Sequence, residues 1–235
     1  MDHLGHGSSD YATPLKSSNR VHVEDFSYYI SDLEVFFDLI SKQCKVDSLH
    51  VVAHSMAGLL SLYLATKKKL KSLFLSSPML KVNTKGVPYP LAKVLAKTLP
   101  SKSAAPLQVP LHNVDLSKNQ ITNSQKRANF LQEIYKKHPE QKRDHVSNGW
   151  LFSALNWSQN VEKLEPFVNE TLPILLFQAE KDTVIVPKRN ELFARGLKTC
   201  EFHWAKGARH EVLMEKEAIR APIIKNLHQF LQENS

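Results

Sequence analysis

Ser55 is the first residue in this chain placed to do covalent chemistry. It lies in Val51-Val52-Ala53-His54-Ser55-Met56-Ala57-Gly58-Leu59-Leu60, where a buried strand runs into a helix with a serine at the turn. Such a turn lifts the hydroxyl above a sheet, and small residues two before and two after let strand and helix approach closely around it. Ala53 and Ala57 meet the size requirement, with Gly58 next, although the strict G-x-S-x-G pattern is not kept. The plain alternative is a serine that caps the following helix. A serine is a weak nucleophile until a base takes its proton. Two segments offer partners: Asp182 in Gln178-Ala179-Glu180-Lys181-Asp182-Thr183-Val184, and His210 in Gly207-Ala208-Arg209-His210-Glu211. Each follows a short apolar strand. Taken singly, Asp182 could cap the helix starting near Pro187 and His210 could be a surface loop residue. Together they fit the roles of nucleophile, general base and the carboxylate that fixes the base's tautomer, and the backbone N–H of Met56 would supply one donor to an oxyanion.

These residues can meet only if the strands that carry them are parallel, so that their C-terminal ends share one edge. The hydrophobic pattern supports that. Phe26, Tyr29, Ile30, Leu33, Phe36, Phe37 and Ile40 recur at helical spacing after Asp25, a candidate cap. Leu49–Ala53 reads as a buried strand, Ala57 to about Lys68 as a helix, and Leu73–Leu75 as a strand ending at Ser76-Ser77-Pro78. The rhythm then lapses from 78 to 171, with a proline-rich front (Pro88, Pro90, Pro100, Pro106, Pro110) and a helical, polar back around Ser124–Lys137 and Trp150–Asn156. It resumes with a strand at Ile174–Phe177, a helix near Lys188–Leu197, a strand at Glu201–Trp204 and a final helix containing Ile219 to Leu231, with Pro222 at its first turn or at a kink. Residues 1–24 read as loop. Alternating strands and helices predict an α/β fold with a parallel sheet, and the interruption is too long for an ordinary connection. The expected division is core at 1–77, an inserted lid at 78–171 and core again at 172–235.

Four segments carry a resemblance to a known family. Asp2-His3-Leu4-Gly5-His6-Gly7-Ser8-Ser9 resembles the D-H-x-G-x-G-x-S loop of α/β hydrolases, and Ala53–Gly58 resembles their H-S-M-G-G elbow. Ser76-Ser77-Pro78-Met79 resembles their S-x-P-M segment, and Gly207–Glu215 resembles the G-A-x-H-E-x-L-x-E stretch around the family histidine. The order Ser, Asp, His is that of their triads. The likeness is to the lysophospholipase L2 and monoacylglycerol-lipase branch, with Leu4 in place of a frequent Arg and Ala57 in place of Gly. It implies a triad of Ser55, Asp182 and His210 and hydrolysis of a carboxylic ester of a lipid, lysophospholipid or monoacylglycerol, without cofactor or metal. It also implies a partial α/β-hydrolase fold, the C-terminal strands of a mostly parallel sheet flanked by helices, with a largely helical lid insertion. In the family the D-H-x-G-x-G loop follows the fourth strand, so the sequence is expected to be an N-terminally shortened version of a larger hydrolase. The Leu49–Ala53 strand would then have an unpaired apolar edge. A catalytically dead relative is the alternative.

Composition bounds the rest. The 235 residues are 42% hydrophobic and 23% charged, which excludes wholesale disorder, and no apolar run approaches a membrane span. The formal charge of +8 is uneven: residues 51–145 hold 16 Lys/Arg against 4 Asp/Glu. A basic stretch attracts an anionic membrane surface or nucleic acid, or is simply solvated. No helix-turn-helix, RNP or zinc pattern accompanies it, so no nucleic-acid partner is expected. Peripheral contact with an anionic membrane through the lid and Lys67–Lys69 is expected instead, for a cytoplasmic protein at the inner membrane. Cys44 and Cys200 make no disulfide framework and are expected as buried, inert thiols.

Overall fold

A computed structural model describes residues 2–7, 9, 19–106, 108, 110–164, 168 and 171–235. Four strands, β2 (Leu49–His54), β3 (Leu70–Ser76), β5 (Ile174–Ala179) and β6 (Cys200–Ala205), form a parallel sheet in the order β2-β3-β5-β6. A short parallel pair, β1 (Arg20–Val21) with β4 (His145–Val146), lies apart from it. The α-helices described in full are α1 (Ser27–Cys44), α2 (Met56–Ala65), α3 (Tyr89–Thr98), α4 (Gln125–Lys137), α5 (Asn148–Gln159), α6 (Pro187–Gly196) and α7 (Glu217–Glu233).

The expected α/β architecture is present, and the sheet's core explains it. β5 is buried along its whole length, as a central strand covered on both faces must be. One face packs on α1 and α2 through Tyr29, Ile30, Phe37, Leu59 and Leu62, and the other carries Phe74, Leu175 and Phe177 against Ile223, Leu227 and Phe230 of α7. Among the described residues β2 is an edge strand, and Val52 on it is 48% exposed.

Several local expectations shift. The proline-rich front of the 78–171 segment contains α3. Pro88 precedes this helix and Pro90 lies in its first turn, where a missing N–H costs nothing and the fixed φ favours helix, so these prolines start a helix. Residues 20–21 are strand rather than loop, because the segment 145–146 offers them a partner. Asp25 accepts the Ser27 N–H at 2.8 Å at the start of α1. Of the two places expected for Pro222, the first turn or a kink, it is not in the first turn: it lies inside α7, five residues after Glu217. Cys44 is exposed, unlike the buried thiol expected, because it ends α1 on the face turned from the core; Cys200 is partly buried. Lys67 and Lys68 pair with Glu34 and Asp38 of α1, and Lys69 reaches Asp47 at 3.8 Å. This part of the basic excess therefore faces the acidic first quarter of the chain. No described helix is long and apolar enough to cross a membrane.

Candidate active site

Ser55 joins β2 to α2 with φ 51° and ψ −116°, a conformation that L-residues avoid. The surrounding bonds over-determine it. The Ser55 N–H donates to the Ser76 carbonyl at 3.0 Å, and the Ser55 carbonyl accepts from Met79 N–H at 2.9 Å and Gly58 N–H at 3.0 Å. Gly58, next to the small Ala57, has its own steric reason. A Cβ on Gly58 would lie 2.7 Å from Cβ of Pro78, so α2 can approach the loop after β3 only without a side chain there. The Ser-Ser-Pro-Met segment thus serves as the wall against which the elbow is set.

Asp182 follows β5 and His210 follows β6, and the parallel ladder brings both loops to the Ser55 end of the sheet. The three expected residues do come together. Ser55 Oγ lies 2.9 Å from His210 Nε2, and His210 Nδ1 lies 2.7 Å from Asp182 Oδ2. In the tautomer this requires, Nδ1–H donates to the carboxylate and Nε2 accepts from the hydroxyl. Asp182 Oδ1 accepts the N–H groups of Val184 and Ile185, and Oδ2 also accepts from Gln178. Asp182 therefore holds its own loop rather than capping α6. Burial alone would push its carboxyl up, but the hydrogen bond and charge of His210, with those two N–H groups, leave it below the ordinary carboxylate value. The N–H of Met56 belongs to the first turn of α2, which has no intrahelical acceptor.

Two features were not read from the sequence. His54 packs against the His210 ring at 4.8 Å between centroids, and burial, then the neighbouring histidine, lowers its pKa to about 3, so it stays neutral beside the triad. The second is a clamp. Glu215, fully buried, accepts from Asn123 N–H at 3.1 Å, Asn123 Nδ2 at 2.8 Å and Arg209 N–H at 2.8 Å. The Arg209 side chain donates to the carbonyls of Leu116, Asn119 and Thr122. Segment 116–123 is thereby laced to the loop that carries His210. The only trace of this in the sequence is Glu215 closing the Gly207–Glu215 stretch.

Residues 2–7 lie against Tyr29 of α1, whose hydroxyl donates to the Leu4 carbonyl at 3.2 Å and whose ring meets those of His3 and His6. Gly5 and Gly7 have positive φ, and a Cβ on Gly7 would collide with the Asp2 carboxylate at 2.2 Å, which accounts for that glycine. Ser8 lies outside the described residues. A cavity of about 510 Å³ opens onto Ser55 and His210. Its lining includes apolar Met79, Val87, Leu95, Leu151 and Ile185 and polar His6, His112, Gln141, Arg143 and Asp144. No group of three or more His, Cys, Asp or Glu suited to a metal occurs among the described residues.

A serine on a strained strand-to-helix turn, with histidine and aspartate delivered by the next strands of a parallel sheet, defines an α/β hydrolase. The family model described as serine aminopeptidase, S33, matches residues 1–217, and the chain belongs to that family. A probable lysophospholipase L2 of Haemophilus influenzae is 25% identical over 242 residues, covering 100% of this chain and 74% of that protein. Mouse monoglyceride lipase is 27% identical over 184 residues, 77% of this chain, which spans about half (54%) of that relative's length. A soluble variant of Saccharomyces cerevisiae monoglyceride lipase superposes with a TM-score of 0.73 at 20% identity, covering 100% of this chain and 77% of that one. The Paleococcus ferrophilus monoacylglycerol lipase gives 0.73 at 19% identity, with 99% and 81% covered. These structures share the fold.

Proposed function

We propose that this chain is a serine hydrolase that cleaves carboxylic esters of lipids, lysophospholipid or monoacylglycerol, through an acyl-enzyme on Ser55. The observation that carries the reading is the unbroken hydrogen-bonded line from Ser55 Oγ through His210 to Asp182 at the mouth of a largely apolar cavity. The names of the similar proteins, lysophospholipase L2 and monoglyceride lipase, support the lipid ester as substrate.

The chemistry follows from the atoms. Ser55 Oγ attacks the ester carbonyl as His210 Nε2 takes its proton. Asp182 holds His210 in the productive tautomer and stabilises the imidazolium. The Met56 N–H donates to the developing oxyanion; one such donor is typically worth about 10²–10³ in rate. The tetrahedral adduct collapses, His210 returns the proton to the leaving alcohol, and a water repeats the sequence to free the fatty acid. The low pKa of Asp182 keeps it anionic throughout. Residues 78–171 act as the lid between the core halves 1–77 and 172–235, since α3 and α5 supply cavity wall.

The same segment is the membrane-facing part. Leu91, Val94, Leu95 and Leu99 are exposed on or just after α3. Beside them Lys93 reaches Gln159 and Lys97 lies over the Phe152 ring, so no described carboxylate offsets either charge. An anionic surface attracts such cations at about 1 kcal/mol each. These residues support a contact at α3 rather than at the paired Lys67–Lys69, for a cytoplasmic enzyme at the inner membrane. Co-sedimentation with vesicles should rise with anionic lipid; equal weak binding to neutral and anionic vesicles would sink the membrane contact.

A fluorophosphonate probe tests the enzyme. Labelling of the wild type that disappears in Ser55→Ala is expected, together with loss of ester hydrolysis. Well-folded protein that takes no label would instead be a catalytically dead relative.

A further inference from the structure

A second hollow, a groove of about 770 Å³, is lined by α3, α5, the first turn of α6 and the loop after β3. It shares helices with the catalytic cavity but no described residue. α3 gives Lys93, Val94 and Lys97 to the groove, and Ala92, Leu95 and Ala96 to the catalytic cavity. α5 divides likewise, with Phe152 and Asn156 on the groove and Leu151 and Leu155 on the cavity. The two helices are therefore a partition, and a molecule in the groove does not reach Ser55.

The groove is apolar and cationic at once. Leu80, Val94 and Phe152 line it, and so do Lys81, Lys93, Lys97 and Arg189. Glu162 is the one carboxylate among its described lining residues, and Arg189 already pairs with it. The three lysines have no carboxylate partner among the described residues. Lys81 lies 5.5 Å from the centre of the Tyr89 ring, Lys97 lies 6.0 Å from that of Phe152, and Lys93 donates to the Gln159 amide oxygen at 3.2 Å. Their stems cover apolar surface while the ammonium groups stay reachable, since Lys81 and Lys97 are exposed and Lys93 is half-buried. Like charges gathered without counter-charge favour an anion among them. An apolar lining favours a hydrocarbon chain beside that anion, and the volume is that of a small-molecule site.

We propose that this groove is a second binding site, for one single-chain anionic amphiphile, a long-chain carboxylate. Lysine is a point charge, which sets the sign of the head but not its shape. The choice of a carboxylate rests on the hydrolase reading of Ser55, because that reaction releases such a molecule at every turnover. The groove then takes up product on the far side of the helices that wall the catalytic cavity. Lys93 and Lys97 also serve the membrane contact proposed above, so the test uses a dissolved amphiphile and no vesicle.

Laurate, below its micelle limit and at low salt, is titrated into protein whose Ser55 carries an alkyl fluorophosphonate, so that the catalytic cavity is already filled. One equivalent should bind saturably. Dodecyltrimethylammonium, with the same chain length and the opposite charge, should not saturate. Lys93→Glu with Lys97→Glu should weaken laurate by about tenfold or more, the worth of two exposed cations reversed. Lys81→Glu, on a different element, should weaken it as well. No saturable laurate binding, equal binding of the cationic amphiphile, or an affinity that both variants keep would overturn the site. The comparison of the two amphiphiles needs no variant to fold. Labelled protein that binds no laurate loses the site and leaves the hydrolase reading standing. Protein that takes no label loses the hydrolase reading; the same titration on it, with the same variants, then decides the site separately.

Discussion

The strand-end loops of the sheet and the segment 78–171 treat their polar atoms in opposite ways. At the strand ends Ser55 Oγ, both ring nitrogens of His210 and both oxygens of Asp182 have partners within the protein, so the reacting groups are oriented before any substrate arrives. In the 78–171 segment His112 Nδ1 and Asp144 Oδ1, on the same cavity, are buried without partners. The first arrangement suits bond-making, where preorganisation lowers the barrier. The second is a desolvation cost that the packing carries, since neither atom is accessible to a water-sized probe. The two regions are joined by Glu215 and Arg209.

The sharpest break in this contrast is Asp182→Asn. It should leave the backbone intact but favour the wrong tautomer of His210, lowering kcat by about 10⁴ with little change in KM. A fall in KM-dependent binding alone would place Asp182 outside the reaction. The joint comes next. Glu215→Ala would strip an acceptor from buried N–H groups of Asn123 and Arg209. At about 1–3 kcal/mol for a buried group left unsatisfied and roughly 2–4 °C per kcal/mol at this size, the Tm should fall by about 5–10 °C. An unmoved Tm would mean the clamp holds nothing. Gly58→Ala probes the strand-end region by itself. The new Cβ, 2.7 Å from Pro78 Cβ, should cost about 1–3 kcal/mol by overpacking and disturb the Ser55 turn.

The same contrast explains what the sequence revealed. Strand, turn and helix around Ser55 follow from local pattern, because a buried parallel strand must be continuously apolar and the elbow must have small neighbours. Asp182 and His210 were legible as loop residues after such strands, and parallel topology then brings them to one edge. The 78–171 segment carries no such constraint. Its α3 was hidden because Pro88 and Pro90 resemble breakers unless they stand at a helix start. The buried, unpartnered atoms of Asp144 and His112 were hidden because only the packed structure shows which polar atoms lose their solvent. Glu215 looked like the end of a motif, whereas its work is to accept from Asn123, 92 positions earlier in the chain.

The smallest effect compares one histidine from each region under acid. His54, on the sheet side, has its pKa lowered to about 3 by burial and by the charge of His210. That of His112 is also lowered, chiefly by burial, although Asp144 works the other way. In the unfolded chain both titrate near the ordinary histidine value of about 6.5. Below that pH the unfolded chain takes up protons that the folded protein refuses. Stability is therefore complete above about pH 6.5 and declines as pH falls toward about 3, with a slope of at most ~1.4 kcal/mol per pH unit for His54. Asp182, whose folded pKa is depressed, adds its own loss only below the ordinary carboxylate range. Urea midpoints between pH 7 and pH 5 should thus fall in the wild type, and His54→Gln should flatten that fall more than His112→Gln does. Equal flattening would mean that the surroundings of His112 exclude the imidazolium as firmly as the triad does, and the contrast between the regions would then lie in hydrogen bonding alone.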